Sequence, residues 1–219
     1  MINTFLMRKY PKTVRKEITE ERIKVTQEER EQAQKFDAMY FDGERRFGYG
    51  GYHYHPKFFT EVVKDFIYYY ALKPGQSILD VGCGKGFMLH DFKQAMPALE
   101  IAGIDISDYA LSKALPEVAP YLQKACCSKL PFPDHSFDLV ISIATIHNLD
   151  LQGVRASLRE ISRVSKGHAF IKVNGYKNLK EREQLENWNL VAQTILRESE
   201  WEELFAEVGY QRDYDFFKT

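Results

Sequence analysis

ILDVGCGKG at residues 78–86, GIDIS at 103–107 and LPFPDHSFDLVIS at 130–142 follow one another in that order along the chain. The first stretch predicts a buried strand over 77–81, a turn with glycines at 82, 84 and 86, and a helix from Phe87. Such a turn admits a ligand to backbone that side chains would otherwise block, and it aims the N–H groups of a helix start at that ligand. Asp105 lies about 20 residues further on, at the end of a second strand, where a carboxylate can grip a ribose diol. The turn reads GxGxG after an acid, Asp80, inside the strand. Dinucleotide-binding dehydrogenases prefer GxGxxG.

Strand and helix patterns alternate around these motifs. Strands are predicted near 77–81, 101–105, 121–126, 137–143 and 168–173, with helices near 87–95, 108–114 and 151–164. Alternation of this kind implies a parallel sheet with helices on both faces. Helices around 179–196 and 200–208 follow, then GYQRDYDFF as a terminal strand, which leaves only residues 209–219 to close the sheet.

The three ordered motifs resemble the class I S-adenosylmethionine-dependent methyltransferases, in particular the small-molecule, methyltransferase-11-like branch whose third block reads LPF-x-D-x-S-F-D. The resemblance covers residues 74–174. It implies an α/β Rossmann-like three-layer sandwich with a mainly parallel sheet and an antiparallel C-terminal edge strand. It also implies S-adenosyl-L-methionine as cofactor. By resemblance, Gly82, Cys83 and Gly84 pass beneath the cofactor's methionine part, and Gly86 lets the helix start close by. Asp80 anchors the loop or the cofactor's amino group. Asp105 takes both ribose hydroxyls, Ile106 packs on the adenine, and Ser142 and Ile143 face the methionine end. Before LPF, many relatives carry an acid that receives the adenine amino group; here Cys126 stands there, with Cys127 after it, and a thiol cannot reproduce a charged acceptor. His147, just past the fourth strand, is placed to take a proton from an acceptor.

The additions to this core lie at the N-terminus. Residues 1–72 are expected to form a helical arm and active-site lid, and 73–219 the methyltransferase core. Thr26 and Glu29 have capping-box spacing, so a charged helix is expected from Gln27 to about Met39, with a second over 56–70. Between them runs YFDGERRFGYGGYHYHPKFF, residues 40–59. Its Tyr40, Tyr49, Tyr52 and Tyr54 are candidates to enclose a sulfonium, which a ring face attracts. Arg45 and Arg46 are candidates to clamp a carboxylate or phosphate. His53 or His55 offers a base, Tyr49 and His53 join His147 as catalytic candidates, and Asn174 and Tyr176 are further pocket candidates.

Formal net charge is −1, so no global basic field exists to grip nucleic acid. The Asn/Asp-Pro-Pro-Tyr/Phe motif of nucleic-acid amino-methyltransferases is missing after the fourth strand. Three cysteines at positions 83, 126 and 127 show no framework spacing, which suggests a reducing cytoplasm. No spaced ligand set points to a metal, no secretory leader opens the chain, and no apolar run is long enough for a membrane helix. The expected function is methyl transfer to a small polar metabolite, anionic or sugar-like. The alternative is a cofactor-binding interaction module, or a protein methyltransferase, that docks a partner through its charged 8–39 arm.

Overall fold

A computed structural model describes residues 1–11 and 16–217, the side chains of 16 and 17 excepted. The basic residues Lys12 and Arg15 of the arm therefore lie outside the described residues. Seven strands form the sheet: β1 (Ser77–Val81), β2 (Glu100–Asp105), β3 (Leu122–Lys124), β4 (Phe137–Ile143), β5 (Ser165–Tyr176), β6 (Leu196–Arg197) and β7 (Asp213–Phe217). The order is β3-β2-β1-β4-β5, and β6 and β7 share the outer edge of β5. Every strand pairing is parallel.

That corrects the expected antiparallel edge. An antiparallel closing strand needs a hairpin with the strand before it, whereas a helical crossover returns the chain to the same end of the sheet. Helix α9 (Glu198–Glu207) makes that crossover, so β7 runs parallel beside β5, from Phe170 opposite Asp213 to Asn174 opposite Phe217.

Two apolar layers hold the sandwich. On one face, α7 (Leu151–Val164) places Val154, Leu158 and Ile161 at helical spacing, all fully buried, beside Trp201, Leu204 and Phe205 of α9. Asp150 starts α7 by accepting the Gly153 N–H at 2.7 Å, a cap worth about 1 kcal/mol. On the other face, α4 (Thr60–Tyr69) and α5 (Phe87–Ala95) bury Val62, Val63, Phe66, Leu89 and Phe92. Successive strand residues serve alternate layers: Leu79 belongs to the first and Ile78 to the second.

The N-terminal elements are α1 (Lys16–Arg22), α2 (Gln27–Ala33) and α3 (Ala38–Asp42). The capping box at Thr26 and Glu29 is present. The single helix expected to Met39 is broken, because Phe36 takes a left-handed φ of 52° and Asp37 caps a new helix by accepting the Met39 N–H at 2.9 Å. After β5, α8 (Leu179–Trp188) stops well short of 196. There Asn189 Oδ1 accepts the N–H groups of Val191 and Ala192 and turns the chain.

These two additions form one cap. Val25, Ala33 and Phe47 from the N-terminal part pack with Leu190 and Val191 from the segment after β5. Arg22 donates to the Trp188 carbonyl at 3.0 Å and Arg30 to the Asn189 carbonyl at 2.6 Å. Arg8 and Lys9 reach back to Asp65 of α4 at 3.0 and 2.9 Å. Among the described residues, no helix is long and apolar enough to cross a membrane.

Candidate active site

The glycine turn lies at the carboxyl end of β1, and its shape is held by acids and carbonyls of the sheet. Gly82 and Cys83 N–H groups both donate to the Ile104 carbonyl of β2. The Gly84 N–H donates to Asp105 Oδ2 at 2.7 Å, and the Ser107 N–H donates to Asp105 Oδ1 at 2.8 Å. Side chains have no room here. A Cβ on Gly82 would fall 2.1 Å from Thr145 Oγ1, and one on Gly84, at φ 55°, would fall 3.2 Å from the Tyr52 ring.

Above this turn opens a cavity of about 1730 Å³, larger than the roughly 300–1,000 Å³ of a typical small-ligand site. Asp80, Gly82, Cys83, Gly84, Asp105 and Ile106 line its floor. Ala125, Cys126 and Cys127 line it beyond β3, and Ile143 and His147 beyond β4. The cap supplies further lining, with Tyr10, Arg45, Tyr49, Tyr52, His53 and Trp188.

The cavity lining carries charge of both signs. Asp80 and Asp105 are both buried, and neither is paired with a cation among the described residues. Burial, with Asp105 adding to it, pushes the Asp80 carboxyl up to about 7. Asp80 makes no hydrogen bond among the described residues, and Asp105 keeps acceptor capacity beyond its two close N–H partners. On the cap side, Arg45 donates to the Gly48 carbonyl and lies 5.6 Å from the Trp188 ring centroid. The tyrosines 10, 40 and 49 lie near it, Arg22 shares the Gly48 carbonyl with it, and no carboxylate pairs with it among the described residues. Gly50, at φ 70°, lets the arginine stem pass, since a Cβ there would meet Arg45 Cβ and Cδ at 2.7 Å.

The lid tyrosines stack in series. Tyr49 and Tyr52 centroids are 4.4 Å apart, Tyr52 packs on Phe87 at 4.8 Å, and Tyr40 meets Tyr49 edge-on at 5.3 Å. Burial pushes the Tyr40 hydroxyl up to about 12 and raises that of Tyr52. Both are hydroxyl donors at neutral pH and not bases.

His147 is buried, and burial pushes its imidazole down to about 4. Its Nδ1 accepts the Asn174 backbone N–H at 3.4 Å, and its Nε2 faces the Asn174 side-chain amide at 3.3 Å. Its carbonyl accepts from Gln193 and Thr194, so this residue also ties down the loop of the cap. Asn174 lines the cavity and gives its own carbonyl to Trp201 Nε1 at 2.8 Å. His53, by contrast, is exposed to the cavity and makes no hydrogen bond among the described residues.

Five expected contacts are not among the lining residues. Arg45 and Arg46 sit side by side on a 3₁₀ turn and project apart. Arg46 therefore faces outward, paired with Glu44 at 3.1 Å and Glu29 at 3.9 Å. Tyr54 turns onto α5, donating to Asp91 Oδ1 at 2.7 Å. Tyr176 is buried at the end of β5 beside Arg182. Gly86 serves packing, since a Cβ there would meet Val118 Cγ2 at 2.8 Å. Ser142 lies buried inside β4.

Sequence reading missed the Lys172–Asp215 ion pair, which lines the cavity from β5 and β7. It missed Asp42, Tyr10 and Trp188 as well. Asp42 and Lys85 are 43 positions apart and Lys172 and Asp215 are also 43 apart, so no local pattern links either pair. Among the described residues, no group of three His, Cys, Asp or Glu side chains could hold a metal ion.

The family model for a methyltransferase domain matches residues 79–171, the stretch that carries the glycine turn, Asp105 and β4. This is a class I methyltransferase domain. The domain's cofactor is S-adenosyl-L-methionine, and the cavity floor suits it: two unpaired carboxylates face a ligand that bears an ammonium, a sulfonium and a ribose diol. Asp80 would face the ammonium and Asp105 the diol.

Sterol 24-C-methyltransferase ERG6B of Gibberella zeae is 34% identical over 103 residues, covering 42% of this chain and 26% of that protein. Phosphoethanolamine N-methyltransferase 3 of Arabidopsis thaliana is 32% identical over 125 residues, covering 53% and 24%. The chain thus spans about a quarter of the length of these relatives. The crystal structure of the YcgJ protein of Bacillus subtilis shares the fold, with a TM-score of 0.55 and 22% identity over 65% of each chain. The family match ends at residue 171, and both parts of the cap lie outside the matched stretch.

Proposed function

We propose that the chain transfers a methyl group from S-adenosyl-L-methionine to a small anionic metabolite. The observation that carries this reading is that one cavity is lined by the Asp80 and Asp105 carboxylates and by the Arg45 guanidinium. The cofactor, when bound, supplies an already activated methyl group, so the protein's work is alignment and exclusion of water. Asp80 and Asp105 hold the donor. Tyr49 and Tyr52 cover the turn, where a ring face attracts a cation by about 0.5–2 kcal/mol. Arg45 takes a carboxylate or phosphate of the acceptor in a bidentate grip, within a wall of Tyr10 and Trp188.

A hydroxyl acceptor, or an amine that enters protonated, must give up a proton to act as the nucleophile. His53 is the imidazole placed to take it, because both nitrogens of His147 face Asn174. His147 and Asn174 then form a neutral wall of the chamber. The cavity's size favours two ligands at once, donor and acceptor. Arg8, Lys9, Arg22 and Arg30 are engaged inward, which favours a metabolite over a protein acceptor docked through these four side chains.

The test is incubation with methyl-labelled cofactor and either a metabolite extract or a protein extract. Label is expected in small anionic products. Arg45→Gln is expected to raise KM for the acceptor about tenfold or more while cofactor affinity holds. Label confined to protein would overturn this reading.

A further inference from the structure

Asp42, the last residue of α3, is where three parts of the site meet. Its carboxylate accepts from Lys85 Nζ at 2.7 and 2.9 Å, from the Tyr109 hydroxyl at 2.7 Å and from the Tyr52 backbone N–H at 2.9 Å. Lys85 belongs to the glycine turn, Tyr109 to α6 (Asp108–Ser112) just past Asp105, and Tyr52 to the lid. Neighbouring contacts run the same way. The Ser107 hydroxyl donates to the Phe36 carbonyl, and the Phe41 ring stacks on Tyr49 at 5.8 Å and Tyr109 at 6.4 Å.

Packing alone would need no charge at this place. Lys85 is only 4% exposed, and a buried ammonium is costly unless it is paired. The pair also has a particular location. Gly84 is tied by its N–H to Asp105, and the next residue, Lys85, is tied by its side chain to Asp42. Two consecutive residues of the turn are thus set by acids from different parts of the chain. One of those acids also holds the lid backbone at Tyr52, whose ring lies against Gly84.

We propose that Asp42 is a positioning residue that joins the shape of the glycine turn to closure of the lid, so that cofactor binding and ordering of residues 48–53 are one event. The inference rests on the cofactor reading of the turn. Loss of Asp42 strands the Lys85 ammonium, the Tyr109 hydroxyl and the Tyr52 N–H together, and the turn and the lid then relax independently.

The test uses the full chain with S-adenosylhomocysteine, read by calorimetry and by amide exchange. Asp42→Asn and Lys85→Met are each expected to weaken binding about ten- to a hundredfold. The double variant should be no weaker than the worse single one, as for two ends of one interaction. Asp42→Glu should restore most of the affinity. In wild type the ligand should slow exchange at residues 48–53, and in Asp42→Asn that ligand-dependent slowing should vanish while the sheet stays protected.

Binding by Asp42→Asn within twofold of wild type, or intact ligand-dependent protection of the lid, would overturn the proposal. Should Asp42→Asn fail to fold, the double variant removes both charges of the pair together. Tyr109→Phe, which deletes a single bond to Asp42, gives a milder second reading. Wild-type affinity in either would again overturn it. A wild-type chain that does not bind S-adenosylhomocysteine would instead remove the cofactor reading, a distinct result seen before any variant is made.

Discussion

The Gly84 amide and the Asp105 carboxylate, 21 positions apart, meet in a 2.7 Å hydrogen bond. That bond shapes the cavity lining, because it holds the Asp105 carboxylate directly beside the glycine turn. Asp105 therefore braces the turn, and in the proposed function it also accepts the diol.

Asp105→Ala removes both. The Gly84 and Ser107 N–H groups lose their acceptor, and the ribose hydroxyls lose theirs. Cofactor affinity is expected to fall by about 2–4 kcal/mol, more than the diol contacts alone would cost. Calorimetry with S-adenosylhomocysteine on a variant that still melts cooperatively checks this. Affinity within twofold of wild type would remove Asp105 from the site.

Gly84→Val acts on the lid as well as on the turn. The residue sits at φ 55°, which a branched side chain resists, and its Cβ would press on the Tyr52 ring at 3.2 Å. Cofactor binding should be lost and amide exchange at residues 48–53 should rise, with the sheet still folded. Normal binding would show that nothing passes over this turn.

Asp80 and His147 make opposite contributions to stability over one pH range. Asp80 is raised to about 7, so between pH 4 and 7 the folded chain holds a proton that the unfolded chain has released, and stability falls as pH rises. His147 is lowered to about 4, so between about pH 4 and 6.5 the unfolded chain holds the extra proton, and stability rises with pH. In wild type the two trends oppose each other. Asp80→Asn should expose the rising trend and His147→Asn the falling one, each on the order of 1–3 kcal/mol across the range. Urea melts from pH 4 to 7.5 measure both; parallel profiles for the two variants would contradict the assignment.

The same Asp80 titration bears on the cofactor. Its carboxylate must be ionised to face an ammonium, so below pH 7 binding has to expel a proton first. Affinity for S-adenosylhomocysteine should strengthen about fivefold between pH 6 and 7 in wild type, and much less in Asp80→Asn.

The proton acceptor can be settled by kinetics. His53→Asn should lower kcat about a hundredfold with little change in cofactor affinity, whereas His147→Asn should cost less than about tenfold. The reverse order would return the role of base to His147, and would require Asn174 to move aside during turnover.

Sequence alone determined what is encoded locally. The order of β1, the glycine turn and α5 is legible because apolar runs, glycines and caps act on near neighbours: strands 77–81 and 137–143 and helices 87–95 and 151–164 coincide with the structure to the residue. That Asp80, Asp105, Tyr49 and Tyr52 line one cavity was readable for the same reason, since motif and aromatic density mark them. Tertiary structure decided what depends on chain segments meeting. It set the parallel direction of β7, through the crossover of α9. It turned Arg45 inward and Arg46 outward on one short turn. It joined the N-terminal arm to residues 188–191 as a single cap, and it brought Asp42 to Lys85 and Lys172 to Asp215. Those contacts arise only after the two ends of the chain fold over the same sheet edge, and no spacing of residues along the chain records where distant side chains will point.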